Sequence, residues 1–156
     1  MKNFLIIFIL ISIVSCEDNV LLKDTIIDKD LILELVNKVR INGCNCGDEE
    51  MSSVHIVIWD NKLEEAAKIN TDHMYNYNDY NHTWSDGTTL TDRYKMVGFN
   101  TWKGSGENIA YGKTIEQVFQ FWLDKPGHCK NIMHKNHKRI GVARTGNFWS
   151  MNFISE

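Results

Sequence analysis

The chain has 156 residues, 43% of them hydrophobic and 24% charged, with 17 Lys and Arg against 20 Asp and Glu for a formal charge of -3. That length suits one domain with its own core, and the apolar content excludes wholesale disorder. Mild acidity argues against a dedicated nucleic-acid binder, while four Cys and a single Pro exclude a disulfide-dense miniprotein or a Pro-rich chain.

Met1-Lys2-Asn3 is a short basic start, and Phe4 to Val14 is almost unbroken Phe, Leu, Ile and Val, interrupted by Ser12. Eleven helical residues span about 16 Å, roughly half of a bilayer's hydrocarbon core. Residues 1–15 therefore read as an export signal rather than a membrane-spanning helix. Ile13-Val14-Ser15-Cys16, followed by Glu17-Asp18, resembles a bacterial lipobox. The resemblance implies cleavage before Cys16, acylation of that residue, and a membrane-anchored lipoprotein at the bacterial cell envelope. The alternative is an ordinary signal, a secreted product, and Cys16 in a disulfide. Residues 16–27 read as a tether and 28–156 as the folded domain. Loss of residues 1–15 removes one Lys and no acid, so the mature species carries one further unit of negative charge.

Export places Cys44, Cys46 and Cys129 in an oxidising compartment, where a disulfide is expected. Cys44 and Cys46 are too close in sequence to pair easily. Either one joined to Cys129 closes a loop of more than 80 residues, worth up to about 4–5 kcal/mol in the chain-entropy view. The third thiol is then spare and free to exchange within the pair. A Cys-rich metal site is the other reading, but it lacks a fourth ligand.

The first helix is expected from Asp28 or Asp30 to about Asn42, with Ile32, Leu35, Val36 and Val39 on one apolar stripe and Gly43 as the stop. Cys44 to Ser53 reads as a polar surface loop, and Val54 to Trp59 as an extended segment or short strand. A second helix from Asp60 or Asn61 to about Tyr77 turns Leu63, Ala66, Ala67, Met74 and Tyr77 inward. Asn78 to Gly87 is a loop, Thr88 to Val97 a short helix, and Trp102 to Tyr111 a loop leading into a strand. Thr114 and Gln117 form a capping box before a helix with Ile115, Val118, Phe119 and Trp122 on its apolar stripe. Pro126-Gly127 ends it. Arg139 to Arg144 and Phe148 to Ile154 read as strands joined by a turn at Thr145-Gly146-Asn147. The fold class is α+β.

Three side chains stand out for chemistry. His82 lies in Asn81-His82-Thr83-Trp84, Glu107 follows the glycines of Gly104-Ser105-Gly106, and His128 opens a short helical segment running through Asn131-Ile132-Met133. His and Glu are the residue types required for a metal site with an open position or for acid–base work near neutral pH. Cys129 beside His128 is a poor thiol-protease pair, because sequence neighbours on a helical turn point apart and a bridge would consume the thiol. Ser105 lacks the sharp turn of a serine nucleophile. Between Lys125 and Arg144 there are six Lys or Arg and no acid, with His134 and His137 titrating among them. This run reads as a solvated face, with anionic wall polymers or lipid headgroups as the functional alternative.

Several motifs in one order resemble a known family across about Leu31 to Phe153. They are Asn37-x-x-Arg40, Trp59-Asp60-x-x-Leu63-x-x-Ala66-Ala67, Asp86-Gly87 after His82, and Gly106-Glu107-Asn108-Ile109-Ala110. Trp122, Gly127-His128-x-x-Asn131-Ile132, Gly141-Val142 and Phe148-Trp149 before Phe153 continue the match. The chain resembles the bacterial SCP-like branch of the CAP superfamily, which includes cysteine-rich secretory proteins, antigen 5 and plant pathogenesis-related proteins. The resemblance implies a three-layer α–β–α sandwich with a small central antiparallel sheet and an open cleft. It implies that His82 and His128 are the two cleft imidazoles, able in some members to hold zinc or another divalent metal, and that Glu107 is a cleft acid. A second acid of the eukaryotic members falls on Lys125, which weakens a carboxylate pair and disfavours a cation. Glu107 could complete a zinc site or hold a His tautomer from behind. Asn108 and Trp84 are expected beside them. Asn37 with Arg40 is read as structural, and Trp59, Trp102, Trp122 and Trp149 as core.

The expected function is a ligand- or divalent-metal-binding and interaction module, with a lipid, small-molecule or envelope-polymer ligand and no nucleic acid. The alternative is a metal-dependent hydrolase of peptides or wall polymers working in the same cleft.

Overall fold

The computed structural model describes residues 26–155; the signal segment, Cys16 and nearly all of the tether lie outside them. Helix α1 (Lys29–Asn42) starts where the Asp28 side chain accepts the Leu31 N–H, and ends at Gly43, whose φ of 74° suits glycine. Strands β1 (Cys44–Cys46) and β2 (Glu49–Met51) form an antiparallel hairpin. This corrects the surface-loop expectation for Cys44 to Ser53. The segment is polar because the hairpin is mostly exposed, and β1 turns Cys44 and Cys46 to its one packed face.

Strand β3 (Ile58–Trp59) leads into α2 (Asn61–Tyr77), capped by Asp60. Leu63, Ala66, Ala67 and Met74 are buried as expected. Tyr77 is 73% exposed, contrary to expectation, because the inward stripe is completed by the polar Asn70 and Thr71. Helix α3 (Leu90–Met96) carries the capping box Thr89/Asp92. Strand β4 (Gly104–Tyr111) is followed by α4 (Ile115–Asp124), α5 (Pro126–Ile132), β5 (His137–Thr145) and β6 (Phe148–Ser155). At α4, Thr114 caps the Gln117 N–H, but the Gln117 side chain accepts from Lys113, so the reciprocal half of the expected box shifts by one residue. Pro126 closes α4 and sits in the first turn of α5, where a missing N–H costs nothing.

The four-stranded sheet has the order β3-β5-β6-β4. Its β4, β5 and β6 are antiparallel neighbours, while the two-residue edge strand β3 joins β5 in parallel. Strand alternation divides the sheet's side chains between two layers. Ile140, Val142, Trp149, Met151 and Phe153 pack with Ile32, Val36, Val118, Phe119 and Trp122 of α1 and α4. On the other face Ile154 packs with Leu63, Ala66 and Tyr94 of α2 and α3. Helices thus cover both faces, as the α–β–α expectation requires. Helix α2 lies so close to the sheet that a Cβ on Gly141 would stand 2.0 Å from the Glu64 nitrogen.

Asn37 and Arg40 are structural. The Asn37 amide exchanges two hydrogen bonds with the backbone of Val57. Buried Arg40 donates to the carbonyls of His55, Ile132, His134 and His137, tying two segments of backbone to α1. Trp122 and Trp149 are buried, and Trp59 and Trp102 pack on the two cores from partly buried positions.

His137 is not a surface titrating group as the basic run suggested. It is 3% exposed, donates through Nδ1 to the Asn131 carbonyl, and stacks on Phe153. Burial, then the nearby His134 and Arg40, push its pKa down to about 4, against the opposing pull of the Asn131 bond. The folded protein therefore keeps this ring neutral while the unfolded chain protonates below its ordinary pKa near 6.5. Stability is predicted to be complete above about pH 6.5 and to fall towards pH 4, by on the order of 3 kcal/mol from this group. Urea unfolding of His137→Asn across that range checks it: a flattened slope is expected, and a slope equal to wild type contradicts it.

Candidate functional site

The polar centre of the molecule is Glu107, 7% exposed on β4. Arg93 of α3, itself 0% exposed, places one guanidinium nitrogen 2.9 Å from both carboxylate oxygens. Asn70 of α2 donates to Oε1 at 2.9 Å and the Ser150 hydroxyl of β6 donates to the same oxygen at 3.1 Å. Turned so that both ends of its amide are satisfied, Asn152 donates to Oε1 at 3.3 Å and accepts from the Ala67 N–H. Oε2 is left for His82, whose Nδ1 stands 2.9 Å away. An ionised carboxylate is acceptor-only, so a neutral His82 carries its proton on Nδ1 and presents Nε2 as a lone pair. The His82 side chain is 54% exposed, so the supported ring opens to solvent.

Asn108, the next residue on β4, points to the opposite face. Its side chain donates to the His128 carbonyl at 3.0 Å and accepts from Asn131 at 2.9 Å, clamping α5 to the strand. Gly106 permits that approach, since a Cβ there would stand 3.2 Å from Asn131 Oδ1 and 3.1 Å from His137 Cε1. The Gly106-Glu107-Asn108 tripeptide thus has a separate task at each position: closeness, the His82 ring, and the helix that carries His128.

His128 is half-buried, and its Nδ1 is buried with no hydrogen-bond partner. Burial lowers its pKa, helped by the positive charges available to His82 and Lys125, so the neutral ring is favoured. Lys125 is exposed at the α4–α5 junction, its ammonium 5.7 Å from the centre of the Phe121 ring, which in turn neighbours His128. Trp84 backs the site instead of walling it. It donates to Asn70 at 2.7 Å, stacks on His73 at 3.9 Å, and lies under the Arg93 guanidinium. Asn70 and Arg93 were not singled out in the sequence; a polar residue on the inward stripe of α2 was the available signal for the first.

For a divalent ion the fit is partial. His82 and His128 offer imidazole nitrogens, and the orphaned Nδ1 of His128 marks an unmet polar group. Glu107 offers no free oxygen, since both are occupied by protein donors. Among the described residues, the one group of three or more His, Cys, Asp or Glu ligand atoms within 4.8 Å of one another is Cys44, Cys46 and Cys129. There Cys46 and Cys129 form a disulfide, and Cys44 is the free thiol. The bridge removes Cys129 as a nucleophile. Ser105 lies exposed at the start of β4. Of the basic run, Lys130 pairs with Glu49 and Arg139 with Asp60.

A model described as the cysteine-rich secretory protein family, CAP, matches residues 33–153. The chain belongs to the CAP family. The CAP domain here is 34% identical over 100 residues to the Bacillus subtilis (strain 168) protein YkwD, covering 62% of this chain and 38% of that protein. The chain therefore spans well under half the length of that relative. An extracellular protein containing an SCP domain from Bacillus anthracis str. Ames shares 25% identity with a TM-score of 0.70, over 81% of this chain and 40% of its own. An outer surface protein from Borrelia burgdorferi is similar in fold, with 20% identity and a TM-score of 0.68 over 85% of this chain and 97% of its own.

Because Glu107 is the carboxylate paired with buried Arg93, Glu107→Gln is predicted to destabilise the CAP domain by about 3–5 kcal/mol in urea unfolding. A cleft carboxylate that merely waited for substrate would change stability by less than about 1 kcal/mol, and that result would contradict the assignment.

Proposed function

We propose that this chain is an exported CAP domain, held at the bacterial envelope through acylated Cys16, that captures a ligand or divalent ion in the cleft of His82 and His128. The supporting observation is the occupancy of Glu107. A carboxylate fixed by Arg93, Asn70 and Ser150 orients the His82 imidazole and leaves its outer nitrogen available. A divalent metal would be held by His82 and His128, with Glu107 behind His82, and would supply an electrophilic point for an anionic or carbonyl ligand. Export is supported by the similar protein from B. anthracis, which is extracellular. The Cys46–Cys129 bridge is in keeping with an oxidising compartment.

The hydrolase alternative requires a carboxylate with a lone pair to spare for water. Glu107 is poorly suited to that role for the same reason that it suits the first. Lipid, small-molecule and envelope-polymer ligands all remain compatible with an imidazole-lined cleft.

Zinc titration of the purified chain by calorimetry, wild type against the His82→Ala/His128→Ala double variant, tests the site. Binding by wild type and at least a tenfold loss in the variant are expected; equal binding, or none by wild type, would defeat the metal form of the proposal. Metal-dependent cleavage of a peptide or wall-glycan panel, lost in the variant, would replace the binding reading with the hydrolase. Mass spectrometry of the native N-terminus should show an acylated Cys16, and a mature chain retaining an unmodified Cys16 would remove the anchor.

A further inference from the structure

The hairpin β1–β2 presents two cysteines to one. Cys44 and Cys46 are two residues apart on a strand, so both side chains point to the same face. That face rests on α5, where Gly47 lies against Pro126 and Glu49 pairs with Lys130. Cys46 is bonded to Cys129, with Cα atoms 5.4 Å apart. The Cys44 sulfur stands 3.6 Å from the Cys129 sulfur and 4.0 Å from that of Cys46. Met133, Val39, Met51, Val54 and Leu123 enclose the three sulfurs in an apolar pocket.

From this geometry we infer that the bridge is an exchange site, in which Cys44–Cys129 and Cys46–Cys129 are two populated isomers of one oxidised protein. In the step, the Cys44 thiol gives up its proton and its sulfur attacks Cys129. The Cys44–Cys129 bond forms, the Cys129–Cys46 bond breaks, and the electron pair leaves on Cys46, which takes up a proton. Oxidation state is unchanged, so no outside oxidant or reductant enters. The two sulfur distances differ by only a few tenths of an ångström, whereas attack along the bond axis requires a difference near one S–S bond length, about 2.0 Å. Exchange therefore begins with rotation of the half-exposed Cys44 side chain. Burial raises the Cys44 thiol pKa, so the thiolate is scarce near neutrality and the rate follows its rising fraction. A metal held by all three sulfurs is a poorer reading, because the bridge already uses two and no fourth ligand joins them among the described residues.

The isomers place the free thiol differently. In one it is the half-exposed Cys44; in the other it is Cys46, buried at 1% exposure. Cys129 adjoins His128 in α5, so the isomer also decides which point of the hairpin holds the helix that bears the candidate site.

The test uses the oxidised full chain, incubated at pH 8.5, quenched with acid, then unfolded and alkylated at low pH with N-ethylmaleimide. Fragment-ion mapping should find the label on Cys46 in a measurable share of molecules and on Cys44 in the rest. Prolonged alkylation of the folded protein, which reaches only the exposed thiol, should convert that share into Cys44 label. The conversion should quicken about tenfold per pH unit below the thiol's pKa. Label confined to Cys44 in the quenched sample overturns the inference, as does a Cys46 share that persists through native alkylation. Cys46→Ser should oxidise to a Cys44–Cys129 bridge; if that variant fails to fold, the wild-type mapping still decides.

Discussion

The buried ion pair between Arg93 and Glu107 is the contact on which the rest of this molecule is organised. A guanidinium at 0% exposure and a carboxylate at 7% are costly to desolvate, and the cost is offset only when the carboxylate's oxygens find donors. That requirement recruits Asn70 from α2, Arg93 from α3, and Ser150 with Asn152 from β6. Two helices and two strands are thereby fixed at one point. The same saturation changes the chemical character of Glu107. It becomes a rigid support for His82, in place of a base awaiting water.

Strand β4 positions both halves of the candidate site through the pleat. Glu107 faces α2 and α3 and orients the His82 ring; Asn108 faces the other way and holds the backbone of His128. Neighbouring residues on one strand thus position two imidazoles that lie 46 residues apart in sequence. Lys125 adds positive charge close to His128 and lowers its proton affinity with burial. The resulting neutral His128 ring is suited to accepting a ligand or a borderline metal, and poorly suited to acid catalysis near neutral pH.

Much of the scaffold is written in simple periodicity. The stripes Ile32/Val36 and Ile115/Val118/Phe119/Trp122 identify their helices and inward faces, and Asp60 and Thr114 mark starts by their capping chemistry. The two imidazoles and Glu107 were legible through an ordered set of motifs. What was hidden is what requires tertiary partners. Asn70 and Arg93 are polar residues whose burial makes sense only once Glu107 arrives from β4. The Cys44–Met51 hairpin is too short and polar to announce itself by alternation. Tyr77 fits the apolar stripe of α2 by spacing yet stays exposed as the helix's last residue, and His137 sits in a basic run yet turns into the core. Polar burial and the ends of elements are decided by neighbours distant in sequence.

The most direct measurement of Glu107's role is the tautomer of His82, read from long-range nitrogen–proton NMR correlations on the labelled protein at neutral pH. Occupied Glu107 oxygens, with Oε2 accepting from the ring, predict that the neutral form of the imidazole carries its proton on Nδ1 and leaves Nε2 free. A neutral His82 protonated on Nε2 would mean that Glu107 does not hold the ring.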